Sequence, residues 1–163
     1  MDSHPDLVTE HAAIMPPTQE NDTMQTPANT HDSLADIFGE VISSYSRAQA
    51  ITDGILVDVS ETAREAGFIF PVAMTRAAWS DCVEWSEADS QRQTHQDESG
   101  RLWDVLWMAS RAARRGGEEI RFQLYRVARG GCGTRPRLVT LKALCGPGDD
   151  AEPVITIMMP GED

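Results

Sequence analysis

The side chains of this 163-residue chain whose types could do chemistry fall into a few groups. Glu118 and Glu119 stand together as an acidic pair ahead of an alternating run, where a charged strand start is the simplest reading. His95-Gln96-Asp97-Glu98 contains metal-ligand types, but a polar stretch with no second histidine cannot complete a tetrahedral set and reads as a solvated loop. Arg47, Asp53, Asp58 and Glu61 surround one short apolar run and could be imagined as a site, yet capping, turn formation and surface charge account for each separately. Cys132 and Cys145 flank a strand-like stretch and could approach one another, while the simpler account is small packed residues. Phosphate-loop, dinucleotide, zinc-protease and nucleophile-elbow patterns are all missing. No catalytic, metal-binding or cofactor-binding residue is assigned, and no cofactor is expected.

Two further groups have the chemistry of recognition. Asp81 and Glu84 share one helical face bordered by Trp85 and followed by Glu87 and Asp89, joining charge that accelerates encounter to an aromatic anchor. Trp103 and Trp107, at i and i+4, form a stripe beside Arg111 and Arg114. Two large aromatics are costly to leave in water, so burial is expected, against protein or against a partner. Together these seven residues are the expected partner-binding set.

Hydrophobic period indicates which elements carry them. Leu34, Ile37, Phe38, Val41 and Ile42 predict a helix over 34–43 behind an Ser33 N-cap. Ser46 and Gln49 form a capping-box pattern over a short helix to Ile51, stopped by Asp53-Gly54. Ile55 to Val59 reads as a strand, Ser60 as the cap of a helix through Ala66, and Gly67 as its left-handed terminator. Phe68 to Met74 is extended and interrupted by Pro71. Thr75 caps an expected helix over 76–88, which places Trp79, Cys82, Val83 and Ser86 on one side and Asp81, Glu84 and Ala88 on the other. After a polar loop from Ser90 to Gly100, a helix over 101–115 buries Leu102, Val105, Leu106, Ala109 and Ala113. Ile120 to Tyr125, Leu138 to Leu144 and Val154 to Met159 then alternate as three strands. The expected fold is α+β: a small, mostly antiparallel sheet, made of a C-terminal three-strand meander plus one earlier strand, covered by helices.

Composition bounds the partners. Twenty-six acidic side chains oppose fourteen basic ones, a formal net charge of −12. Residues 1–33 contain Asp2, Asp6, Glu10, Glu20, Asp22 and Asp32 without a Lys or Arg, and lack any hydrophobic period, so a disordered acidic tail is expected before a single domain over 34–163. The tail has neither the basic nor the apolar region of a secretory signal, and no apolar run approaches the ~20 residues of a membrane helix. An odd cysteine count without a signal points to the cytoplasm. Arg111, Arg114, Arg115, Arg121 and Arg126 give local positive charge that could hold nucleic acid, but an acidic protein without an aromatic stacking motif is repelled by phosphate and drawn to basic protein grooves, so contact with a protein is expected rather than direct nucleic-acid binding. The oligomeric state is left open.

Residues 45–60 (YSRAQAITDGILVDVS), Glu61 to Phe68, residues 97–104 (DESGRLWD) and residues 153–163 (PVITIMMPGED) resemble an uncharacterised family of small acidic proteins encoded by plasmids, phages and integrative elements of proteobacteria. The resemblance covers about 34–163 and implies a mobile-element origin; it supplies no active site. By analogy with small acidic anti-CRISPR proteins, it raises the expectation of a non-enzymatic inhibitor. Such an inhibitor would bind a basic, nucleic-acid-handling host defence protein, such as a CRISPR surveillance complex subunit, and block or displace its normal partner. Glu118-Glu119 resembles the acidic pair of ADP-ribosyltransferases, which leaves a mobile-element enzyme modifying a host protein or nucleotide as the alternative. A plasmid-maintenance accessory protein is a third reading.

Overall fold

A computed structural model describes residues 45–163. The expected tail over 1–33 and the expected helix over 34–43 lie outside the described residues. The elements in chain order are α1 (Arg47–Thr52), β1 (Leu56–Asp58), α2 (Ser60–Glu65), β2 (Val72–Thr75), α3 (Arg76–Cys82), α4 (Glu87–Arg92), α5 (Glu98–Ala113), β3 (Glu119–Arg126), β4 (Arg137–Pro147) and β5 (Pro153–Met158). They build the expected α+β fold around one five-stranded sheet of order β1-β2-β5-β4-β3.

The meander forms as its alternation requires: β3 pairs antiparallel with β4 and β4 with β5. The stretch after Pro71 adds something the sequence did not foretell. Val72–Thr75 is a second early strand, antiparallel to β1 and parallel to β5, and it joins the N-terminal half to the meander. A four-residue run buried at Val72, Ala73 and Met74 has no alternation to read, since both of its faces are covered.

Local signals act where the physics of caps places them. Ser46 accepts from the Gln49 N–H while the Gln49 side chain accepts from the Ser46 N–H, and this closed box starts α1. Thr75 accepts from the Ala78 N–H to start α3. Gly67, at φ 97, takes the left-handed turn after α2. Ser60 behaves differently from expectation: it is the first residue of α2, and its hydroxyl bonds the Asp58 carboxylate at 2.6 Å and the Val72 backbone, tying the start of the helix to β2.

Helices α2, α3 and α5 pack over one face of the sheet. On α5 the side chains of Leu102, Val105, Leu106 and Ala109 recur at helical period and are buried against Phe122, Leu124, Leu141 and Ile157. Helix α1 lies against β1, and Arg47 reaches the Thr156 hydroxyl at 2.8 Å and the Ile155 carbonyl at 3.0 Å on β5. The Asp149 carboxylate accepts from the Ala48 and Arg47 N–H groups at the start of α1, bonds that hold its pKa down.

Candidate functional site

The helix expected over 76–88 is two helices. α3 ends at Cys82, and α4 begins behind a second capping box, in which Ser86 accepts from the Asp89 N–H and the Asp89 carboxylate accepts from the Ser86 N–H and hydroxyl. A serine and an aspartate at N-cap spacing favour a new start over continuation, because the side chains satisfy donors that a helix terminus leaves free. The break turns Trp85 inward. Its indole N–H donates to the Ser90 hydroxyl at 3.1 Å, and the Arg101 guanidinium lies 4.7 Å from the ring centroid.

The break also places Asp89 inside, 1% exposed, and brings three arginines to the expected acidic face. Arg126 clasps the Asp81 carboxylate with contacts of 2.6 to 3.0 Å. Arg129 bridges Glu84 at 2.7 Å and Asp89 at 3.1 Å, and Arg92 adds a 3.0 Å bond to Asp89. The Ser86 hydroxyl and N–H, then Arg129 and Arg92, hold the Asp89 carboxyl far below the usual carboxylate range, and the Ser80 hydroxyl and Arg129 lower that of Glu84. Asp81, Glu84 and Asp89 are therefore internal counter-ions to arginines. Within the expected set of acids, Glu87 is the one exposed.

Trp103 and Trp107 are more open than expected, 37% and 45% exposed, and stack with centroids 6.2 Å apart at an interplanar angle of 19°. The stripe of Leu102, Val105, Leu106 and Ala109 takes the sheet-facing side of α5, which leaves the tryptophans on its flank. Arg111 lies over the Trp107 ring at 5.6 Å from its centroid. Two hollows run between α5 and β3. One, of about 410 Å³, is lined by Trp103, Arg101 and Asp104 from α5 and by Leu124, Tyr125 and Arg126 from β3; the other, of about 490 Å³, is lined by Met108, Arg111 and Arg115 and by Arg121, Phe122 and Gln123. Arg115 and Arg121 belong to the run of arginines whose local positive charge is legible in the sequence, whereas Met108 and Tyr125 carry no recognition signal there. The period of β3 does put Arg121 and Tyr125 on its outer face, but sheet order alone brings that strand beside the tryptophans.

The groups with catalytic potential do not converge. Glu119 is exposed and pairs with Arg121 at 3.0 Å, and the Glu118 carbonyl accepts the Cys145 N–H within the sheet. Asp53 accepts from the Tyr45 hydroxyl at 2.6 Å, Asp58 from Ser60, and Arg47 is committed to β5. Asp97 caps α5, its pKa lowered by the Ser99 hydroxyl and the Gly100 N–H, while Glu98 accepts the Trp85 N–H at 3.2 Å. Among the described residues no group of three or more His, Cys, Asp or Glu could hold a metal ion. Cys132 and Cys145 are exposed free thiols; Cys82 is a buried one, its pKa pushed up to about 12 by burial and then by Asp81.

These features define an α+β protein with an aromatic-flanked groove along one edge of its sheet, and without an assembled catalytic centre among the described residues. Residues 34–163 match the model of a family of unknown function, DUF6573, and the chain belongs to that family. No curated protein and no solved structure matches it.

Proposed function

We propose that this protein works by occupancy: a non-enzymatic inhibitor of mobile-element origin that binds a basic, nucleic-acid-handling host defence protein, such as a CRISPR surveillance complex subunit, in the cytoplasm. Bound there, it blocks or displaces that protein's normal partner. The supporting observation is the exposed, stacked Trp103–Trp107 pair flanking the groove between α5 and β3. Tryptophan in such a setting is the residue most enriched among binding hot spots, since it removes much apolar area from water with few rotamers to fix. The net charge of −12 supports a partner of opposite sign, which it would attract at long range. The acidic residues Asp81 and Glu84 contribute to this reading through the arginines they hold rather than as a displayed face.

The test is a titration of defence activity against added protein. A stoichiometric inhibitor reaches full effect at a fixed molar ratio, and Trp103→Ala with Trp107→Ala weakens it by about 2 kcal/mol or more, roughly thirtyfold, with the fold retained. Full effect at a small fraction of the target concentration would instead mean turnover and would overturn the reading.

A further inference from the structure

Strand β3 ends the sheet: among the described residues, β4 is its one strand partner. The Cys145 N–H donates to the Glu118 carbonyl at 2.8 Å, and Glu119 stands opposite Leu144. Antiparallel alternation then directs the backbone N–H and C=O groups of Glu119, Arg121, Gln123 and Tyr125 away from β4, toward the open side. All four residues are exposed. Edge strands are usually guarded by short length, charged side chains, a proline or a bulge; the charged side chains of β3 nearest the outward groups, Glu119 and Arg121, pair with each other at 3.0 Å. β3 has eight residues, no proline and an unbroken register of eight pairs with β4.

Charge says what the edge would accept. Arg111 from α5, Arg115 from the turn after it and Arg121 from β3 line the same 490 Å³ hollow, and the acid that contacts them is Glu119, on Arg121. Arg111 and Arg115 form no ion pair among the described residues. A locally basic groove in a protein of net charge −12 selects an occupant by its near contacts rather than by the long-range field. The other end of the groove is aromatic, with Trp103 and Tyr125 beside Leu124.

We infer that an extended, acidic segment of a partner protein adds to the sheet as a sixth strand along β3. Its backbone pairs with the outward groups of Glu119 to Tyr125, its carboxylates meet Arg111, Arg115 and Arg121, and an apolar side chain at its other end packs against Trp103. The inference rests on the protein-binding reading and names how the partner engages, whatever the partner's overall charge. A nucleic-acid strand would satisfy the arginines but leave the outward N–H and C=O groups without a strand to pair with. The tryptophans, moreover, stack on one another and do not stand apart to receive bases.

The experiment uses the full chain and three probes: an eight-residue peptide alternating glutamate with valine, the same peptide with lysine in place of glutamate, and a short single-stranded oligonucleotide. The glutamate peptide should bind and slow amide exchange at Glu119, Arg121, Gln123 and Tyr125. Gln123→Pro removes an outward N–H that β4 does not use, so it should weaken peptide binding about tenfold or more while leaving the sheet in place. Arg111→Glu with Arg115→Glu should do the same by charge, and carries the test should the proline variant not fold. Failure of the glutamate peptide to bind, equal binding of the lysine peptide, protection of other amides, or preference for the oligonucleotide overturns the inference. If Trp103→Ala with Trp107→Ala abolishes inhibition while Gln123→Pro and the arginine variant leave it intact, strand addition fails and the inhibitor reading stands. If the peptide docks as described and no stoichiometric inhibition is found, the inhibitor reading fails and the docking groove stands.

Discussion

Asp89 and Cys82 show how much a side chain's behaviour depends on where a helix breaks. The Asp89 pKa is lowered by the Ser86 hydroxyl and N–H, then by Arg129 and Arg92. A depressed carboxylate contributes stability that is present above its unfolded pKa of about 3.9 and is lost as pH falls through the folded value. Asp89→Asn should therefore be less stable than the parent in urea unfolding at neutral pH, with the gap narrowing in strong acid, where both side chains are neutral. A gap that stays constant with pH would mean that Asp89 acts by shape alone. Cys82 is buried and its thiol is raised to about 12, whereas Cys132 and Cys145 are exposed. Since the thiolate is the reactive form, a chromogenic thiol reagent should titrate two thiols in the native protein and all three after unfolding. Release of three thiols at the native rate would contradict the burial of Cys82. The same network alters how the acidic face can be probed. Asp81→Lys with Glu84→Lys places new cations beside Arg126 and Arg129, so its effect on binding mixes with loss of stability.

At the scale of elements, caps and period were legible in the sequence and lateral placement was not. The Ser46–Gln49 box, the Thr75 cap and the Gly67 terminator depend on groups within a few residues of each other, so their chemistry can be read directly along the chain. The Ser86–Asp89 box has the same form but is masked in the sequence, because the helical spacing of Trp79, Cys82 and Val83 extends as far as Ser86 itself. Gly67→Ala should cost about 1–2 kcal/mol, the penalty for a Cβ at φ 97, measurable as a lower midpoint in chemical denaturation. Leu106→Ala, at a fully buried position of α5, should cost about 2–5 kcal/mol through lost burial and the cavity left behind. If the glycine substitution proved the costlier, the core of α5 would be more adaptable than its packing indicates. Such a result would also loosen the support of the tryptophan flank.

Across the whole molecule, charge is unevenly shared along the chain. Ten of the fourteen basic residues fall between Arg101 and Lys142, on α5, β3, β4 and the segments joining them, together with three acids, Asp104, Glu118 and Glu119. The other twenty-three acids lie before or after that stretch of the chain. A protein with such a distribution should associate with a basic partner more slowly as salt rises, with a weaker effect on dissociation, because screening acts on the encounter more than on the docked contact. Stopped-flow rates compared between about 0.05 and 0.5 M salt measure this, the Debye length falling from about 14 to about 4 Å. Rates insensitive to salt would remove steering from the account and leave the aromatic groove to carry recognition.

Charge total, fold class, most helix starts and the alternating meander follow from residue types and short spacings, because each arises from interactions local in the chain or additive over it. The pairing of β2 with β5, the commitment of Asp81, Glu84 and Asp89 to arginines as many as 45 residues away, and the placing of Trp103 and Trp107 beside the terminal strand of the sheet arise only when distant segments meet. A carboxylate reads the same in sequence whether it faces water or a guanidinium. The order of strands in the sheet decides which of these it meets, and leaves one edge of β3 without a strand partner among the described residues.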